Sequence, residues 1–493
     1  MNIKELFNEN EVKQWFGYSE AEVTGIAVDT RRLANSNVFV AIRGEKADGH
    51  NYIAKAVENG ANILIVEDTA KCGEYISNKK ITIAVVENTK AALHNIVNRF
   101  WGSPAKNLKL IGVTATNGKT STTTILEYIL RKMGKKTALI GTIQDTINGK
   151  PSGVEKTTIT TPDCIELAQI LKLARDAEVE YVVMEVSSMA LKNERVRSYF
   201  FEVGAFLNLS PEHLDNHGTM EDYFESKMKL FSQCRKSVVG MDDARGKQVL
   251  EIAPNAITFG TKDCDTVDVS AKNLVYHADH VQFEFSDGDL NQIVRVTPPS
   301  HFGVLNALAA LAIVKQLGLD MEEAVKYVQE TIEIDGRFNV LKLKNGVSVC
   351  IDFANTANAL ENLLTATRKN TAYQRVISVF GCGGDRDRTK RKPMGSIGEK
   401  HSDFVVITSD NPRTEDPLTI CEEVFSGVEN KEKAIMIPDL REAIGYALDI
   451  AKAGDVIVIA GKGHETDQEI NGIKYHFNDA EEVLNWEKQH EGL

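Results

Sequence analysis

The sequence predicts an α/β fold divided into three domains. Strand-like apolar runs alternate with helical patterns along nearly the whole chain, which is typical of domains built around largely parallel sheets. A length of 493 residues suits about three domains of usual size, and 42% hydrophobic with 26% charged residues is the composition of an ordinary globular protein. We expect a small N-terminal α/β domain, a central domain with a mainly parallel sheet, and a Rossmann-like C-terminal domain.

Charge and composition exclude several classes of protein. The formal net charge of −13 argues against a nucleic-acid partner, because such binding depends on lysine and arginine neutralising phosphates. The first residues lack the layout of a signal peptide, and no apolar run approaches the ~18 residues of a membrane span. The seven cysteines form no C-x-x-C pair, which favours reduced thiols. We therefore expect a cytoplasmic monomer without a membrane span.

The predicted domain boundaries are 1–101, 102–334 and 335–493. In the first domain, apolar runs and one helical pattern predict three strands and a helix at 38–42, 62–67, 83–86 and 89–101. In the second, strands and a closing helix are predicted at 137–141, 181–185, 203–208 and 305–318. In the third, strands are predicted at 375–380, 403–408 and 455–460, with helices after Pro393, Pro417 and Leu440.

The central domain begins with a predicted phosphate-binding loop. An apolar strand at 108–114 runs into a polar turn and then into Lys119 and Thr120, which open a helical pattern. In such an arrangement the backbone N–H groups face a polyphosphate, the lysine reaches its terminal phosphates and the hydroxyl ligates Mg²⁺. Five residues separate Gly112 from Gly118, so the spacing differs from the common form. The sequence therefore predicts a P-loop-type ATPase domain that uses ATP.

This loop resembles the Gly-x-Thr-Gly-Thr-Asn-Gly-Lys-Thr loop of the Mur ligase family, which forms amides at the expense of ATP. Further motifs similar to those of the family follow in the same order along almost the whole chain, and they begin at Val28, Phe39, Asp48, Thr160, Glu185, Asn208, His217, Gly336, Gly381, Asp410 and Gly461. Each motif is short, but their order and spacing together are specific. The resemblance implies an ADP-forming ligase of peptidoglycan precursor synthesis that joins an amino acid to a UDP-MurNAc-dipeptide.

The chemistry of amide formation requires cations near the reacting phosphate. A carboxylate becomes reactive when the γ-phosphate of ATP is transferred to it, and negative charge accumulates in this step and in the attack by the amine. Thr120 and Glu185 are candidate ligands of one Mg²⁺, with Glu185 ending a strand beside the loop. The resemblance implies a second Mg²⁺ held by His213 and by Lys227, whose amine would carry a carbamate derived from CO₂.

The resemblance also implies two sets of binding residues. The ATP contacts it implies are Thr116, Asn117, Gly118, Lys119, Thr120, Ser121, Asn306, Arg337 and Asp352. The contacts it implies for the UDP substrate are Thr30, Arg31, His50, Thr160, Thr161, Ser187 and Arg195. Read without the family, a histidine such as His213 is more often structural, and Lys227 is an ordinary helix lysine.

Substrate choice is predicted to lie at the C-terminal ends of the last domain's strands, where open α/β sheets bind ligands. An amino acid with a distal carboxylate needs a bidentate partner such as Arg413 or Arg386, and its distal ammonium needs an acceptor such as Glu465. The Asp410-Asn-Pro-Arg413 tetrapeptide looks like the signature of family members that add meso-diaminopimelate. The predicted amino-acid site comprises Arg386, Asp410, Asn411, Arg413, Gly461 and Glu465.

Several residues depart from the family pattern inside its motifs. Ala115 stands at a loop glycine, where it would be strained if the backbone needs a positive φ, and Met189, Asn355 and Asn358 replace a histidine, a histidine and an acid. Two alternatives therefore stay open beside a diaminopimelate ligase. One is a related ligase for a different amine or carboxylate, and the other is a nucleotide-binding protein without turnover.

Overall fold

The computed structural model describes residues 1–17, 21–35, 37–44, 47–277 and 279–490. The chain forms two compact units, and each is interleaved along the sequence. Unit 1 comprises Met1–Leu110, Lys136–Val182 and Met189–Phe200, and unit 2 comprises Ile111–Lys135, Val183–Ser188 and the chain from Phe201 onward. No helix in the described part of the chain is long and apolar enough to cross a membrane.

The first sheet lies in unit 1 and has the strand order β1-β5-β4-β3-β2. Its elements are β1 (Val12–Phe16), β2 (Ile26–Ala27), β3 (Val38–Val40), α1 (Ile53–Glu58), β4 (Ile63–Val66), β5 (Thr82–Val86) and α2 (Thr89–Phe100). Strands β2 to β5 pair in parallel, and β1 pairs antiparallel with β5. The three predicted strands and the helix are confirmed, whereas β1 and β2 were not predicted.

The second group of elements follows from Lys109 to Val328. It comprises β6 (Lys109–Thr114), α3 (Lys119–Lys132), β7 (Thr137–Ile140), β8 (Thr146–Ile147), β9 (Lys150–Pro151), α4 (Cys164–Asp176), β10 (Tyr181–Glu185), α5 (Ser188–Lys192), β11 (Phe201–Phe206), α6 (Leu214–His217), α7 (Met220–Met228), β12 (Cys234–Gly240), α8 (Gly246–Ile252), β13 (Ala256–Gly260), β14 (Val269–Tyr276), β15 (Val281–Ser286), β16 (Asn291–Val296), α9 (His301–Gln316) and α10 (Met321–Val328). Eight of these strands lie wholly or mainly in unit 2, and they have the order β16-β15-β14-β13-β12-β11-β6-β10.

Most of this sheet is parallel, as predicted. Strands β6, β11, β12, β13 and β14 pair in parallel, and the predicted strands at β7, β10 and β11 and the predicted helix at α9 are confirmed. The antiparallel extension β14-β15-β16 was not predicted. Helix α9 is buried on nearly all sides from Val304 to Val314, which explains its continuous apolar sequence.

The third sheet lies within unit 2 and has the order β17-β18-β22-β19-β20-β21. The elements of this region are β17 (Asn339–Lys342), β18 (Ser348–Asp352), α11 (Ala357–Lys369), β19 (Val376–Cys382), α12 (Arg391–His401), β20 (Phe404–Ser409), α13 (Pro417–Phe425), β21 (Ala434–Met436), α14 (Leu440–Ile450), β22 (Val456–Ala460), β23 (Asp467–Ile470), β24 (Ile473–His476) and α15 (Asp479–Gln489). All pairs within the sheet are parallel except β17 with β18, so the Rossmann-like prediction is confirmed.

Helices cover both faces of this third sheet. Val376 and Phe380 of β19 pack into one buried cluster together with Leu364 of α11, whereas Ile377 of the same strand packs into a second cluster with Ile444 of α14. A parallel strand buried on both faces reads as an uninterrupted apolar run. Because β18, β22, β19 and β20 are parallel, their carboxyl ends lie at the same edge of the sheet, where the following loops can form a site.

Candidate functional site

The loop after β6 is shaped by Gly118, which has a left-handed φ of +89°. A Cβ at this position would lie 2.3 Å from Oδ1 of Asn306 on α9. Asn306 is only 7% exposed, and its Oδ1 accepts a hydrogen bond from Oγ1 of Thr122 at 3.4 Å. Only glycine suits both the backbone angle and the close approach, so the predicted loop and the predicted Asn306 form one structure.

The same loop is fastened to the segment that follows β11. The Asn117 N–H donates to Oδ1 of Asn208 at 2.9 Å, and Nδ2 of Asn208 donates back to the Asn117 carbonyl at 2.9 Å. The Thr116 hydroxyl lies 3.1 Å from the Tyr223 hydroxyl and accepts from the Ser210 N–H at 3.0 Å. Thr116 and Asn117 therefore hold the shape of the loop.

Two lysine side chains converge on the carbonyl of Ala115. Nζ of Lys119 donates to the Ala115 and Thr116 carbonyls at 2.9 Å each, and Nζ of Lys227 donates to the Ala115 carbonyl at 2.8 Å. Lys227 is 1% exposed and lies over the Tyr223 ring at 4.4 Å. Burial lowers the pKa of Lys227 well below its ordinary value, and the nearby charge of Lys119 lowers this pKa further.

Ala115 itself is not strained. It is fully buried, and it is not among the described residues with a positive φ. The left-handed position of the loop is Gly118 instead. An alanine therefore fits at residue 115, because the condition for strain there, a positive φ, is not met.

Two acidic residues, the predicted Glu185 and Glu212, act on the lysines near the loop. Glu185 ends β10 and is 1% exposed, and its charge helps to raise the pKa of Lys119, which burial lowers. Glu212, which sequence reasoning did not single out, acts on the pKa values of both Lys119 and Lys227 in the same direction. Glu185 thus offsets the positive charge of Lys119, and Glu212 offsets that of both lysines.

The two histidines of this region have different surroundings. His213 has a left-handed φ of 57°, is about half exposed, and has its Nε2 3.8 Å from Glu212 Oε2. His217 is buried, with Nε2 3.0 Å from the Ser188 hydroxyl and Nδ1 3.3 Å from Asp222 Oδ2. His213 is therefore the histidine open to a ligand. Across the described ranges, no three His, Cys, Asp or Glu side chains are grouped so as to hold a metal ion by themselves.

Arg337 brings the start of the C-terminal region to the loop. Its Nη2 donates to the Thr120 hydroxyl at 3.3 Å, and its guanidinium stacks on the Phe353 ring at 4.6 Å. Asp352, at the end of β18, fixes the adjacent turn by accepting from the Phe338 N–H at 2.7 Å and the Ala354 N–H at 2.8 Å. Burial raises the pKa of Asp352, and the positive charge of Arg337 opposes that shift.

The side chains of two predicted arginines, Arg386 and Arg413, lie close to Gly383. A Cβ on Gly383 would lie 2.9 Å from Arg413 Nη1 and 3.7 Å from Arg386 Cγ. Arg413 has a φ of 52°, donates from Nη1 to the Gly384 carbonyl at 2.8 Å and pairs with Glu469 at 3.3 Å. Arg386 is exposed, and its guanidinium has no partner among the described residues. The Arg413 guanidinium and the stem of the exposed Arg386 side chain therefore lie at the same loop at the edge of the third sheet.

A buried polar cluster lies beside these arginines. Nζ of Lys462, which is 2% exposed, lies 3.1 Å from Glu465 Oε2, 3.3 Å from Asn411 Oδ1 and 3.6 Å from Asp410 Oδ1. Burial raises the pKa of Asp410, and Lys462 opposes that rise. Gly461 has a φ of +135° and lies next to Asp410. The predicted residues of the amino-acid site are thus together, and Lys462, which was not predicted, joins them.

The residues predicted for the UDP substrate lie in unit 1, except Ser187 in unit 2. His50 is 2% exposed; its Nε2 accepts from the Glu67 N–H at 3.0 Å and its Nδ1 lies 2.7 Å from Asp48 Oδ1, so both ring nitrogens are used within the fold. Arg31 is exposed and pairs with Asp29, whose pKa it lowers.

The remaining residues of this set are Thr30, Thr160, Thr161 and Arg195. Thr30 accepts from Asn59 through its carbonyl at 2.8 Å, and the Thr160 hydroxyl accepts from the Thr142 hydroxyl at 3.1 Å. The Thr161 carbonyl accepts from Arg195 Nη1 at 3.2 Å. Thr161 and Arg195 are therefore adjacent in space although they are far apart in the sequence, while the role of the whole set in binding stays a prediction.

Comparison with protein families agrees with the phosphate loop and the three sheets. The chain matches the Mur ligase family, catalytic domain over residues 22–101, the Mur ligase middle domain over 113–314, and the Mur ligase, glutamate ligase domain over 336–463. These features define an ATP-dependent, ADP-forming ligase. The chain belongs to the Mur ligase family, which confirms the resemblance found in the sequence.

Similar proteins are known along the full length of the chain. The UDP-N-acetylmuramoyl-L-alanyl-D-glutamate–2,6-diaminopimelate ligase of Clostridium botulinum is 38% identical over 94% of this chain and 95% of its own, and that of Aquifex aeolicus is 39% identical over 94% and 93%. A solved structure of a ligase with the same name superposes with a TM-score of 0.68, at 28% identity and over 100% of both chains. MurF ligase from Thermotoga maritima, solved in complex with ADP, has the same fold, with a TM-score of 0.65 at 20% identity over 95% of this chain and 98% of its own.

Proposed function

We propose that this chain is the ligase that joins meso-2,6-diaminopimelate to UDP-MurNAc-L-Ala-D-Glu at the expense of ATP. The observation that carries the proposal is that the Arg413 guanidinium and the Arg386 side-chain stem both lie close to Gly383, and that the Asp410–Glu465 cluster lies next to Arg413. Two cations beside buried acceptors suit an amino acid that has both a carboxylate and an ammonium at its distal end. The names of the full-length relatives support the same substrate.

The ATP site in this proposal is the loop around Gly118. The N–H groups at the start of α3, together with Lys119 and Arg337, supply positive charge where the γ-phosphoryl group is transferred. The ammonium of Lys119 exchanges the carbonyls of Ala115 and Thr116 for phosphate oxygens. The γ-phosphoryl group moves from ATP to an oxygen of the substrate carboxylate, which gives an acyl phosphate and releases ADP.

The second half of the reaction forms the amide. The amine of the amino acid attacks the carbonyl carbon of the acyl phosphate, the carbon–oxygen bond to phosphate breaks, and the amine loses a proton. Arg386 and Arg413 hold the distal carboxylate in this step, and Glu465 accepts from the distal ammonium. Lys462 keeps Glu465 and Asn411 in place, since its ammonium contacts both.

Magnesium in this proposal would be held by residues around the phosphate loop, although no three His, Cys, Asp or Glu side chains of the described residues form a metal cluster. The Thr120 hydroxyl and the Glu185 carboxylate, both buried oxygen ligands of the kind that Mg²⁺ prefers, would hold one ion. A second ion would be held by His213 and Lys227. Magnesium would neutralise charge on the phosphate oxygens during transfer.

Lys227 fits this role as a carbamate. Its burial and the nearby Lys119 favour the neutral amine, which is the form that adds to CO₂ with loss of one proton. The product is an anion, so it would replace the repulsion between two ammonium groups with an attraction for Lys119 and a metal ion.

The function is tested with purified chain, ATP, UDP-MurNAc-L-Ala-D-Glu and a panel of amino acids. Phosphate release that requires all three substrates, with a product mass equal to the dipeptide precursor plus diaminopimelate minus water, would support the proposal. Release that depends on a different amine would favour a related ligase for another substrate. No release with any amine would favour a nucleotide-binding protein without turnover.

The domain boundaries 1–101, 102–334 and 335–493 remain part of the proposal.

A further inference from the structure

An ionic network centred on the buried Arg391 side chain lies behind the two arginines of the proposed amino-acid site. Arg391, near the start of α12, is 1% exposed. Its Nη1 and Nη2 each donate to one oxygen of Glu415 at 3.0 Å, and Nη1 also donates to Glu423 at 2.8 Å. Arg388 donates to Glu415 at 2.7 Å. We call Arg388, Arg391, Glu415 and Glu423 the Arg391 network.

The network joins the two loops that carry the arginines of the site. Arg391 donates from Nη2 to the Gly383 carbonyl at 3.3 Å, in the loop after β19. Glu415, in the loop after β20, accepts from the Asp385 N–H at 2.6 Å. Asp385 in turn accepts from the Thr414 hydroxyl at 2.8 Å. Each loop therefore holds the other through a charged group, and Arg386 and Arg413 project from the segments so held.

The loops are also in close backbone contact. A Cβ on Gly384 would lie only 1.9 Å from the Pro412 carbonyl oxygen, so no side chain separates them. Arg413 spans the same gap by donating to the Gly384 carbonyl at 2.8 Å. A shift of either loop would therefore change the distance between the two guanidinium groups.

Hydrogen bonds and opposite charges favour the ionised form of the network, against the effect of burial on the Glu415 carboxyl. Arg391 lowers the pKa of Glu415 through hydrogen bonds and charge. Two arginines face two glutamates, so the group is balanced. Removing one partner would leave a buried charge unpaired, and lysine cannot replace the planar fork by which arginine binds both oxygens of a carboxylate.

We propose that Arg391 and Glu415 are positioning residues, which set the spacing of Arg386 and Arg413 for the distal carboxylate of the amino acid. The inference rests on the proposed function. Arg391 is too deeply buried to meet the substrate, so its effect must pass through the loops. Loss of a purely structural ion pair would lower only the stability of the fold. Loss of this network should also raise the KM for the amino acid, without raising the KM for ATP.

The chain provides a matched control at the opposite edge of the same sheet. Arg375 precedes β19 and donates from Nε and Nη2 to Asp455 at 3.1 and 2.8 Å, and Asp455 precedes β22. This pair joins the amino ends of the strands, away from the loops that follow their carboxyl ends. Arg375→Lys therefore weakens a similar ion pair without touching the proposed site.

The test measures steady-state kinetics for Arg391→Lys and Arg375→Lys with ATP, UDP-MurNAc-L-Ala-D-Glu and meso-diaminopimelate. We expect Arg391→Lys to raise the KM for diaminopimelate roughly 10-fold, the size of one charge-assisted contact, and to leave the KM for ATP unchanged. Arg375→Lys should leave both values unchanged. Equal KM values for diaminopimelate in Arg391→Lys and the native chain would overturn the inference, and Glu415→Gln gives the same test if Arg391→Lys does not fold.

A double variant separates positioning from a general loss of stability. If Arg391 acts through Arg413, adding Arg391→Lys to Arg413→Ala should raise the KM little further, because the group being positioned is already gone. Fully additive effects would contradict the inference. If the native chain uses another amino acid, the proposed function fails, and the same KM ratio measured with that amino acid decides the inference. Absence of turnover with every amino acid would contradict both.

Discussion

The ammonium of Lys119 is the charge that the proposed reaction needs most directly, since it begins the helix at the phosphate loop. Lys119→Ala removes this cation from the transferring phosphoryl group, so we expect kcat for phosphate release to fall at least about 100-fold. Lys132→Ala, at the far end of the same helix, serves as control, because Lys132 pairs with Glu330 on the surface. Near-native turnover of Lys119→Ala would contradict the assignment of the loop.

The buried Lys227 gives a second prediction for a single residue. Lys227→Ala should lose most of the activity because no carbamate can form, and acetate should restore part of it by supplying a carboxylate at the vacated position. Lys229→Ala is the matched control, since Lys229 is exposed two residues along the chain. Activity without acetate and native mass spectrometry of the intact chain are the measurements. A fully active Lys227→Ala variant would rule out this ligand.

Arg413 is predicted to select the amino acid without affecting ATP. Arg413→Ala removes a charge-assisted contact of about 1.5–3 kcal/mol, so the KM for meso-diaminopimelate should rise roughly 10- to 100-fold. The KM for ATP should not change, and neither KM should change in Arg441→Ala, which removes an exposed arginine paired with Glu482. An equal rise in both KM values of Arg413→Ala would mean that the variant disturbs the fold instead of the contact.

At the scale of elements, helix α2 is expected to lose stability in mild acid. His94 is buried on this helix, and burial lowers its pKa from 6.5 to about 4. Between pH 6.5 and pH 4 the His94 side chain is therefore protonated in the unfolded chain but neutral in the folded helix. The free energy of unfolding is highest above pH 6.5 and falls towards pH 4, by up to about 3 kcal/mol. Hydrogen exchange of the α2 amides, corrected for intrinsic rates, should show this slope. The variant His94→Gln should remove this dependence of protection on pH, whereas His476→Gln on β24 should not. Equal protection of α2 at pH 6.5 and at pH 4 in the native chain would contradict the argument.

The elements that sequence reasoning predicted are those with an unambiguous apolar pattern. Strands β19 and β22 are buried on both faces and read as continuous apolar runs, and α9 is buried on nearly all sides. The β14-β15-β16 extension was missed because much of it is exposed and polar; β16, for example, has only two buried residues. Strand β1 was missed for the same reason, since Val12–Phe16 has no fully buried residue.

The part of the site that could be predicted consists of residues that lie next to one another in a short sequence motif. Gly118, Lys119 and Thr120 are adjacent in sequence, so their geometry follows from a strand, a turn and a helix. The partners that complete the site come from distant segments: Asn208 fastens the loop, Lys462 joins Asn411 to Glu465, and Arg391 joins two loops. No local pattern shows such pairings, because they depend on which strand ends are neighbours in the sheet.

At the scale of the whole molecule, the phosphate loop and the C-terminal sheet belong to one compact unit. Arg337 contacts Thr120 directly, and Nδ2 of Asn117 donates to Oδ1 of Asn358 at 3.4 Å. Asn358 thus contacts the loop itself although it departs from the family motif. A substitution at this contact should affect the binding of ATP, whereas the arginines at Gly383 should affect the binding of the amino acid. The choice of amino acid should therefore be independent of Asn358.

The central claim is that this chain selects meso-diaminopimelate through Arg386 and Arg413. The most direct test compares kcat/KM for meso-diaminopimelate and for L-lysine in the native chain, with ATP and UDP-MurNAc-L-Ala-D-Glu saturating. Lysine lacks the distal carboxylate and leaves both arginines without their partner, so we expect it to be poorer by roughly 10- to 100-fold or more. Equal values for the two amino acids, or turnover only with some other amine, would contradict the claim.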